Sequence, residues 1–349
     1  MKALVLSQYN QFTYTDVETP QPGPGEVLIR VRACAVCGSD VHGMDGSTGR
    51  RIPPVIMGHE ASGEVVKCGE DVTSLKVGDR VTFDSTVYCN DCGNCAQGNV
   101  NLCANRQVLG VSCDEYRRDG ALAEYLVVPA YICYQLPPQV TYIQAAMVEP
   151  LAIAYHAVRQ AQIKPGMSAL IVGMGTIGLL TLQVVQALGV RTIIAVDIDP
   201  VQLDIARQNG ATHVVNANDK DAMEQILAHT PDGLGTDLAF DATGIESTVN
   251  LCVRAVALNG QVVLVGNLAP EVTIPLQVVV TRQLKLYGSC ASAGEYDECL
   301  RLIAEGRVDV DALISAVVPL AEGDAWIKRV YNREDGLTKI VFDIDGSGE

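Results

Sequence analysis

A glycine-rich hexapeptide set between an apolar strand and a helix fixes the terms on which this chain folds. Gly173-Met174-Gly175-Thr176-Ile177-Gly178 follows the strand candidate Ala169–Gly173 and opens the helical stretch Leu179–Leu188. In that setting a G-x-G-x-x-G is a dinucleotide-binding turn. Gly173 permits the tight turn, Gly175 lets the backbone approach a pyrophosphate, and Gly178 allows close helix–strand packing. Thr176 and Ile177 begin the helix, whose free N–H groups attract phosphate. Further strand candidates follow at Thr192–Asp197, His213–Asn216, Leu238–Asp241, Gln261–Gly266 and Leu284–Ser289, most of them separated by helical stretches such as Pro200–Asn209. This alternation predicts an α/β fold with a doubly wound parallel sheet. Six strands complete a dinucleotide-binding sheet.

Asp197 ends the second strand, at about the 20-residue offset of a ribose-binding acid. Its carboxylate would accept hydrogen bonds from both adenosine hydroxyls and repel a 2′-phosphate. No Arg or Lys follows it before Arg207, so NAD fits better than NADP.

The first ~150 residues have a different texture. Val27-Leu28-Ile29-Arg30-Val31-Arg32-Ala33 alternates, and short β-like runs such as Asp79-Arg80-Val81-Thr82-Phe83 sit between Gly-rich turns. This predicts a compact β-barrel. From about 145 to 164 the spacing is helical, and Pro165-Gly166 ends it. A helix at Tyr296–Glu305 and a β-like run at Lys339–Asp343 close the chain, and Gly346 to Glu349 carry no fold signal.

Composition limits the partners. Lys plus Arg is 25 against 41 Asp plus Glu, a formal charge of -16, which argues against nucleic acid or an anionic membrane surface. No apolar run approaches the ~20 residues of a membrane span. The N-terminal Met1–Leu6 turns polar at Ser7-Gln8 and lacks a signal-peptide core, so the expected location is the cytoplasm. Twelve cysteines in a reducing compartment point to metal binding or catalysis.

Cys89, Cys92, Cys95 and Cys103 supply four thiolates at short spacing. Four thiolates close a tetrahedral zinc site with no open position, a structural site; an iron–sulfur cluster is the competing reading. A second set is dispersed: Cys37, His59, Glu60 and Glu149. Cys37, His59 and one carboxylate would leave zinc an open fourth position, as catalysis requires.

With Gly58-His59-Glu60, Gly63, Gly69 and Val72, the four-Cys segment, Cys37-Gly38-Ser39-Asp40, the glycine loop and Asp197 in this order, the chain resembles the zinc-containing medium-chain alcohol dehydrogenases over essentially its whole length. The resemblance implies a GroES-like catalytic domain (1–152), a Rossmann NAD-binding domain (153–290) and a C-terminal return to the catalytic domain (291–349). The active site would lie in the cleft between domains. Glu149-Pro150-Leu151 is similar to the segment of sorbitol, butanediol and galactitol-phosphate dehydrogenases, where alcohol dehydrogenases proper place a cysteine ligand. The branch implied is that of polyol dehydrogenases, oxidising a secondary hydroxyl of a sugar alcohol to a ketose.

By the same resemblance Cys37 and His59 bind catalytic zinc, and Glu60 and Glu149 exchange with water at the remaining positions. Ser39 and His42 are similar to the proton-relay positions, and Asp40 orients His59 through its second ring nitrogen. Val265-Gly266-Asn267 stands where relatives contact the nicotinamide end. Cys290 follows Gly288-Ser289, where some sorbitol dehydrogenases carry a substrate-binding arginine, a departure that puts sorbitol itself in doubt. A polyol-phosphate dehydrogenase, with Arg50-Arg51 or Arg117-Arg118 as a phosphate pocket, and an L-threonine dehydrogenase stay open. So does a catalytically inactive NAD- and zinc-binding homologue. A homodimer or homotetramer is expected on the resemblance.

Overall fold

In the computed structural model residues 1–346 are described, so Ser347 to Glu349 of the featureless tail lie outside the described residues. The chain divides into two units, one of Met1–Glu149, Ala293–Gly306 and the chain from Val310 onward, the other of Pro150–Ser292 with Arg307–Asp309.

The first unit is built around a seven-stranded sheet. Its central strand, Glu26–Ala35, is flanked by Glu60–Cys68, Tyr125–Pro129 and Ile340–Asp343. The alternation read from the sequence is visible: Val27, Ile29 and Val31 are fully buried, while Arg32 turns to Glu64 and Asp345. The buried face packs with Val65, Val81, Phe83, Leu126 and Phe342. Strand register then does something the spacing could not show. Ala35 is paired with Glu60 on one side and Val341 on the other. Residues just beyond these pairs, Cys37, His59 and Lys339, therefore arrive at one end of one sheet.

The second unit is a six-stranded parallel sheet. We number its strands β1 (Ser168–Val172), β2 (Thr192–Asp197), β3 (His213–Asn216), β4 (Thr236–Asp241), β5 (Val256–Leu264) and β6 (Lys285–Gly288). Their order in the sheet is β3-β2-β1-β4-β5-β6, every neighbour parallel. Leu170, Val172, Ile194, Val196, Ala239 and Val262 fill its core. Strand order reverses between β1 and β4, the crevice where such sheets take ligands.

Several expected boundaries move, two of them for a local reason. The helical stretch at 145–164 is two helices, Tyr142–Ala146 and Val148–Gln160. Pro150 has no N–H to give the Ala146 carbonyl, so the first helix stops and the second restarts with its proline in the first turn. Thr141 caps the first through a reciprocal pair with Gln144. The fifth strand runs Val256–Leu264 and stops short of Gly266, because Val265 and Gly266 both turn their N–H groups onto the Asp241 carbonyl. Among the described residues no helix is long and apolar enough to cross a membrane.

Candidate metal centres and nucleotide site

The segment from Thr86 to Val108 has little core of its own. One strand pair, Thr86–Val87 with Gln107–Val108, one helical turn at Gly93–Ala96 and one 3-10 turn at Val100–Leu102 make up its regular structure. What it concentrates is sulfur. The Sγ atoms of Cys89, Cys92, Cys95 and Cys103 lie within 4.8 Å of one another. Cys92–Cys95 and Cys89–Cys103 are each 3.5 Å apart, too far for a disulfide. Ligands at ~2.3 Å around a tetrahedral zinc stand about 3.8 Å apart, so the four thiols are already at ligand spacing for a single ion. Main-chain N–H groups lower the Cys89 and Cys92 thiols, while burial and the neighbouring thiols push Cys95 up. The N–H groups of Cys89 and Asn105 donate to Cys103 Sγ, and those of Cys95 and Ala104 hold the Cys92 thiol down at about 6.

The dispersed set also converges. Cys37 caps the short helix Gly38–Gly43, and His59 and Glu60 open the neighbouring strand. Their ligand atoms form a second group within 4.8 Å. His59 and Glu60 are 5% and 1% exposed, and Cys37 is half-buried. Asp40 Oδ2 stands 3.5 Å from His59 Nδ1, which leaves Nε2 for the group. Burial alone would lower the His59 pKa, but Asp40, Cys37 and Glu149 override it and lift it to about 10. So strong an anionic field around a buried imidazole suits a cation, and these residues can hold one.

Glu149 lies in the first turn of Val148–Gln160, outside the 4.8 Å group. Its Oε1 accepts a 2.7 Å hydrogen bond from Ser85 Oγ. Burial, with the charge of Glu60 adding to it, raises its pKa despite His59. Glu60 is held from the other side: Lys339 Nζ donates to its Oε2 at 2.7 Å and to the Val36 carbonyl at 3.0 Å. Each carboxylate thus has a protein partner of its own. Ser39 and His42 lie one turn apart on the Gly38–Gly43 helix, both exposed. His156 meets the Gln160 side chain instead.

Sequence reading missed Lys339 and Ser85. Lys339 is 279 residues from Glu60 and was legible only as the first residue of a β-like run. A lysine just ahead of an apolar strand that reappears 2% exposed is a signal only in hindsight of the register.

The second unit gathers its expected nucleotide residues at the carboxyl ends of β1, β2, β4 and β5. Gly173 sits at φ +91, where a side chain is strained, and a Cβ there would meet Thr243 Oγ1. A Cβ on Gly178 would stand 1.8 Å from the Gly173 carbonyl, so the loop folds onto its own helix. At Gly175 nothing lies within 4 Å of a Cβ, so that glycine keeps space open and not packing tight. Asp197 accepts the Met174 N–H at 2.6 Å and the Asp199 N–H at 2.9 Å, tying the acid to the glycine loop. Val265, Gly266 and Asn267 close against residues 243–244: a Cβ on Gly266 would be 2.2 Å from the Thr243 carbonyl carbon.

Comparison with known proteins agrees with both halves. Residues 23–138 match the alcohol dehydrogenase GroES-like domain, and residues 176–305 match the zinc-binding dehydrogenase domain. D-xylulose reductase A of Aspergillus niger is 35% identical over 351 residues, covering 98% of this chain and 97% of that protein. The crystal structure of 2R,3R-butanediol dehydrogenase from Bacillus subtilis aligns with TM-score 0.88 at 29% identity over 99% of each chain. A zinc-binding dehydrogenase of Sinorhizobium meliloti 1021 bound to NADP aligns with TM-score 0.90 at 32% identity over 98% of each. The chain therefore belongs to the zinc-binding dehydrogenases with a GroES-like domain, oxidoreductases that act on CH–OH groups.

Proposed function

We propose that this protein oxidises a secondary hydroxyl of a free polyol to a ketone with NAD as acceptor, using one catalytic and one structural zinc. The observation that carries the reading is the convergence of Cys37, His59 and Glu60, with Glu149 close by, at one end of the first unit's sheet. When bound there, zinc supplies Lewis acidity that makes an alcohol more acidic, and the nicotinamide supplies the hydride acceptor. Cys37 Sγ, His59 Nε2 and a carboxylate of Glu60 or Glu149 would hold the metal, with Asp40 Oδ2, 3.5 Å from His59 Nδ1, placed to orient the ring once the two bond. Ser39 Oγ accepts the substrate proton as it gives its own toward the exposed His42 ring, which releases a proton to solvent. Cys89, Cys92, Cys95 and Cys103 hold the second ion and substitute for a core in their segment.

In the second unit the loop Gly173–Gly178, with Thr176 and Ile177 at the helix start, takes the pyrophosphate. Asp197 takes the adenosine ribose and repels a 2′-phosphate. Arg207, the first cation after it, is engaged with Asp204, which supports NAD over NADP. Val265, Gly266 and Asn267 meet the nicotinamide end.

A free polyol is favoured over a phosphorylated one by what three of the four paired arginines do. Arg51 is buried against Asp40, Arg117 braces Ser112 and the Ile52 carbonyl, and Arg118 is bound to Gln107. The similarity to a xylulose reductase and a butanediol dehydrogenase points the same way. We also infer a homodimer or homotetramer.

The test is NAD reduction against free polyols, vicinal diols, polyol phosphates and threonine, with and without a zinc chelator. Chelator-sensitive turnover on free polyols or diols is expected. A protein that holds two zinc ions and binds NAD yet turns over none of them would overturn the reading.

A further inference from the structure

Among the buried charges of the first unit, Arg51 has a geometry that the metal centre alone does not require. It is 4% exposed and lies in the loop after the Gly38–Gly43 helix. One nitrogen, NH2, stands 3.0 Å from Asp40 Oδ1 and 3.5 Å from Ser39 Oγ. The other, NH1, donates to the carbonyl of Arg50 at 3.0 Å. Its stem runs beneath the helix so closely that a Cβ on Gly43 would stand 2.6 Å from Arg51 Cγ. Ser39 and Asp40 are therefore bridged by one nitrogen of one side chain, fixed from below by its own packing.

The two contacts have different consequences. At Asp40 the oxygens differ: Oδ1 is bonded to Arg51, while Oδ2 stands 3.5 Å from His59 Nδ1 with no hydrogen bond between them. The guanidinium decides which way the carboxylate plane faces, and so where the charge on Oδ2 stands beside the His59 ring. At Ser39 the hydroxyl has one proton to give and two lone pairs to accept with. Arg51 can only donate, so it occupies one lone pair. One lone pair remains for an incoming proton, and the O–H is left to point onward. A hydroxyl so held can accept one proton as it gives up its own.

We infer that Arg51 is a positioning residue that sets Ser39 and Asp40 together, coupling proton removal to the orientation of His59. This rests on the functional reading above for Ser39 but not for the Asp40 contact, and the test separates the two. Arg51→Met and Arg51→Lys are made in the full zinc-loaded chain, alone and combined with Ser39→Ala, with thermal melting as a control. Gly43→Ala, which displaces the arginine stem from outside, is a second route should Arg51→Met fail to fold.

Arg51→Met is expected to lower kcat about 10- to 100-fold, the range of residues that orient a metal ligand, with KM little changed and the pH–rate profile altered. Arg51→Lys should recover part of the loss, since an ammonium keeps the charge beside Asp40 but lacks the second nitrogen that anchors the side chain on the Arg50 carbonyl. In the Ser39→Ala background the kcat effect of Arg51→Met should shrink to a few-fold, because residues acting through one another are not additive. Zinc release from the three-ligand centre to a chromogenic chelator should quicken about tenfold. Parental kcat and pH profile in Arg51→Met, or effects of the two substitutions that multiply, would overturn the inference. If the parent chain oxidises no alcohol at all, the functional reading fails by itself, and unchanged zinc release in Arg51→Met still decides against Arg51.

Discussion

Single residues carry the chemistry of both metal groups, and the buried pair Lys339–Glu60 shows how a fold protects one. Both side chains are nearly inaccessible, so removing either strands the other's charge. Breaking such a pair costs about 3–5 kcal/mol. Lys339→Met is expected to lower stability by that order in urea unfolding, and adding Glu60→Gln should return much of it, since the second change removes the stranded charge. At the metal, Cys37→Ser or His59→Ala should abolish turnover and reduce bound zinc from two ions to one per chain. A variant with normal turnover and both ions would show that these residues are not its ligands. Asp84 offers a pH test. It is buried, Oδ1 accepts the Thr86 N–H, and Oδ2 has no partner. Burial, with Glu149 and Glu295 adding to it, raises its pKa to about 7. An acid raised in the folded state binds its proton more tightly there than when unfolded. Its contribution therefore falls as pH rises from about 4 to about 7 and is level above that. Asp84→Asn should remove that slope and stabilise the protein at pH 8, measured as melting temperature against pH.

At the scale of elements, what was legible depended on whether the signal was local. The four-Cys segment, the glycine loop and the strands Thr192–Asp197 and His213–Asn216 were readable because ligand spacing, turn chemistry and β-branched runs are properties of neighbours in sequence. The Cys37, His59 and Glu60 set needed resemblance to be named, since its spacing is ordinary and only the Ala35–Glu60 pairing brings it together. Lys339 and Ser85 were beyond reach for the same reason: their partners are fixed by register across the sheet and by the start of a helix, not by any pattern around themselves. The glycine loop allows the local reading to be tried directly. Gly178→Ala puts a Cβ into a backbone carbonyl and should unsettle the fold. Gly175→Ala meets open space with an ordinary backbone conformation. It should leave the melting temperature almost unchanged while weakening NAD about tenfold, ~1.4 kcal/mol. Equal effects on stability from both substitutions would mean that Gly175 serves packing and not the approach of a ligand.

For the whole molecule the remaining question is what meets the open edge of the second unit's sheet. Among the described residues β6, like β3 at the other edge, pairs with one neighbour, β5, and an edge strand exposes unpaired N–H and C=O groups that proteins cover, charge or pair. The charge of β6 is limited to Lys285 in the strand and Arg282 just before it, while Leu268, Leu276 and Val280 in the preceding segment are each about two-thirds exposed. A chain with a formal charge of -16 repels its own copies, so any self-association must be carried by main-chain pairing and apolar contact against that repulsion. This fixes the sign of the salt dependence. Added salt screens the repulsion and should tighten the assembly, whereas an assembly held by ion pairs would loosen. Sedimentation is expected to give two or four times the 37.2 kDa chain mass, with the monomer appearing first at low salt. Val280→Glu, which adds charge to the exposed apolar segment, should shift the population toward monomer without lowering the chain's own melting temperature in dilute solution. A monomer at every salt concentration would mean that β6 is a true free edge, and that its exposed leucines have some other partner.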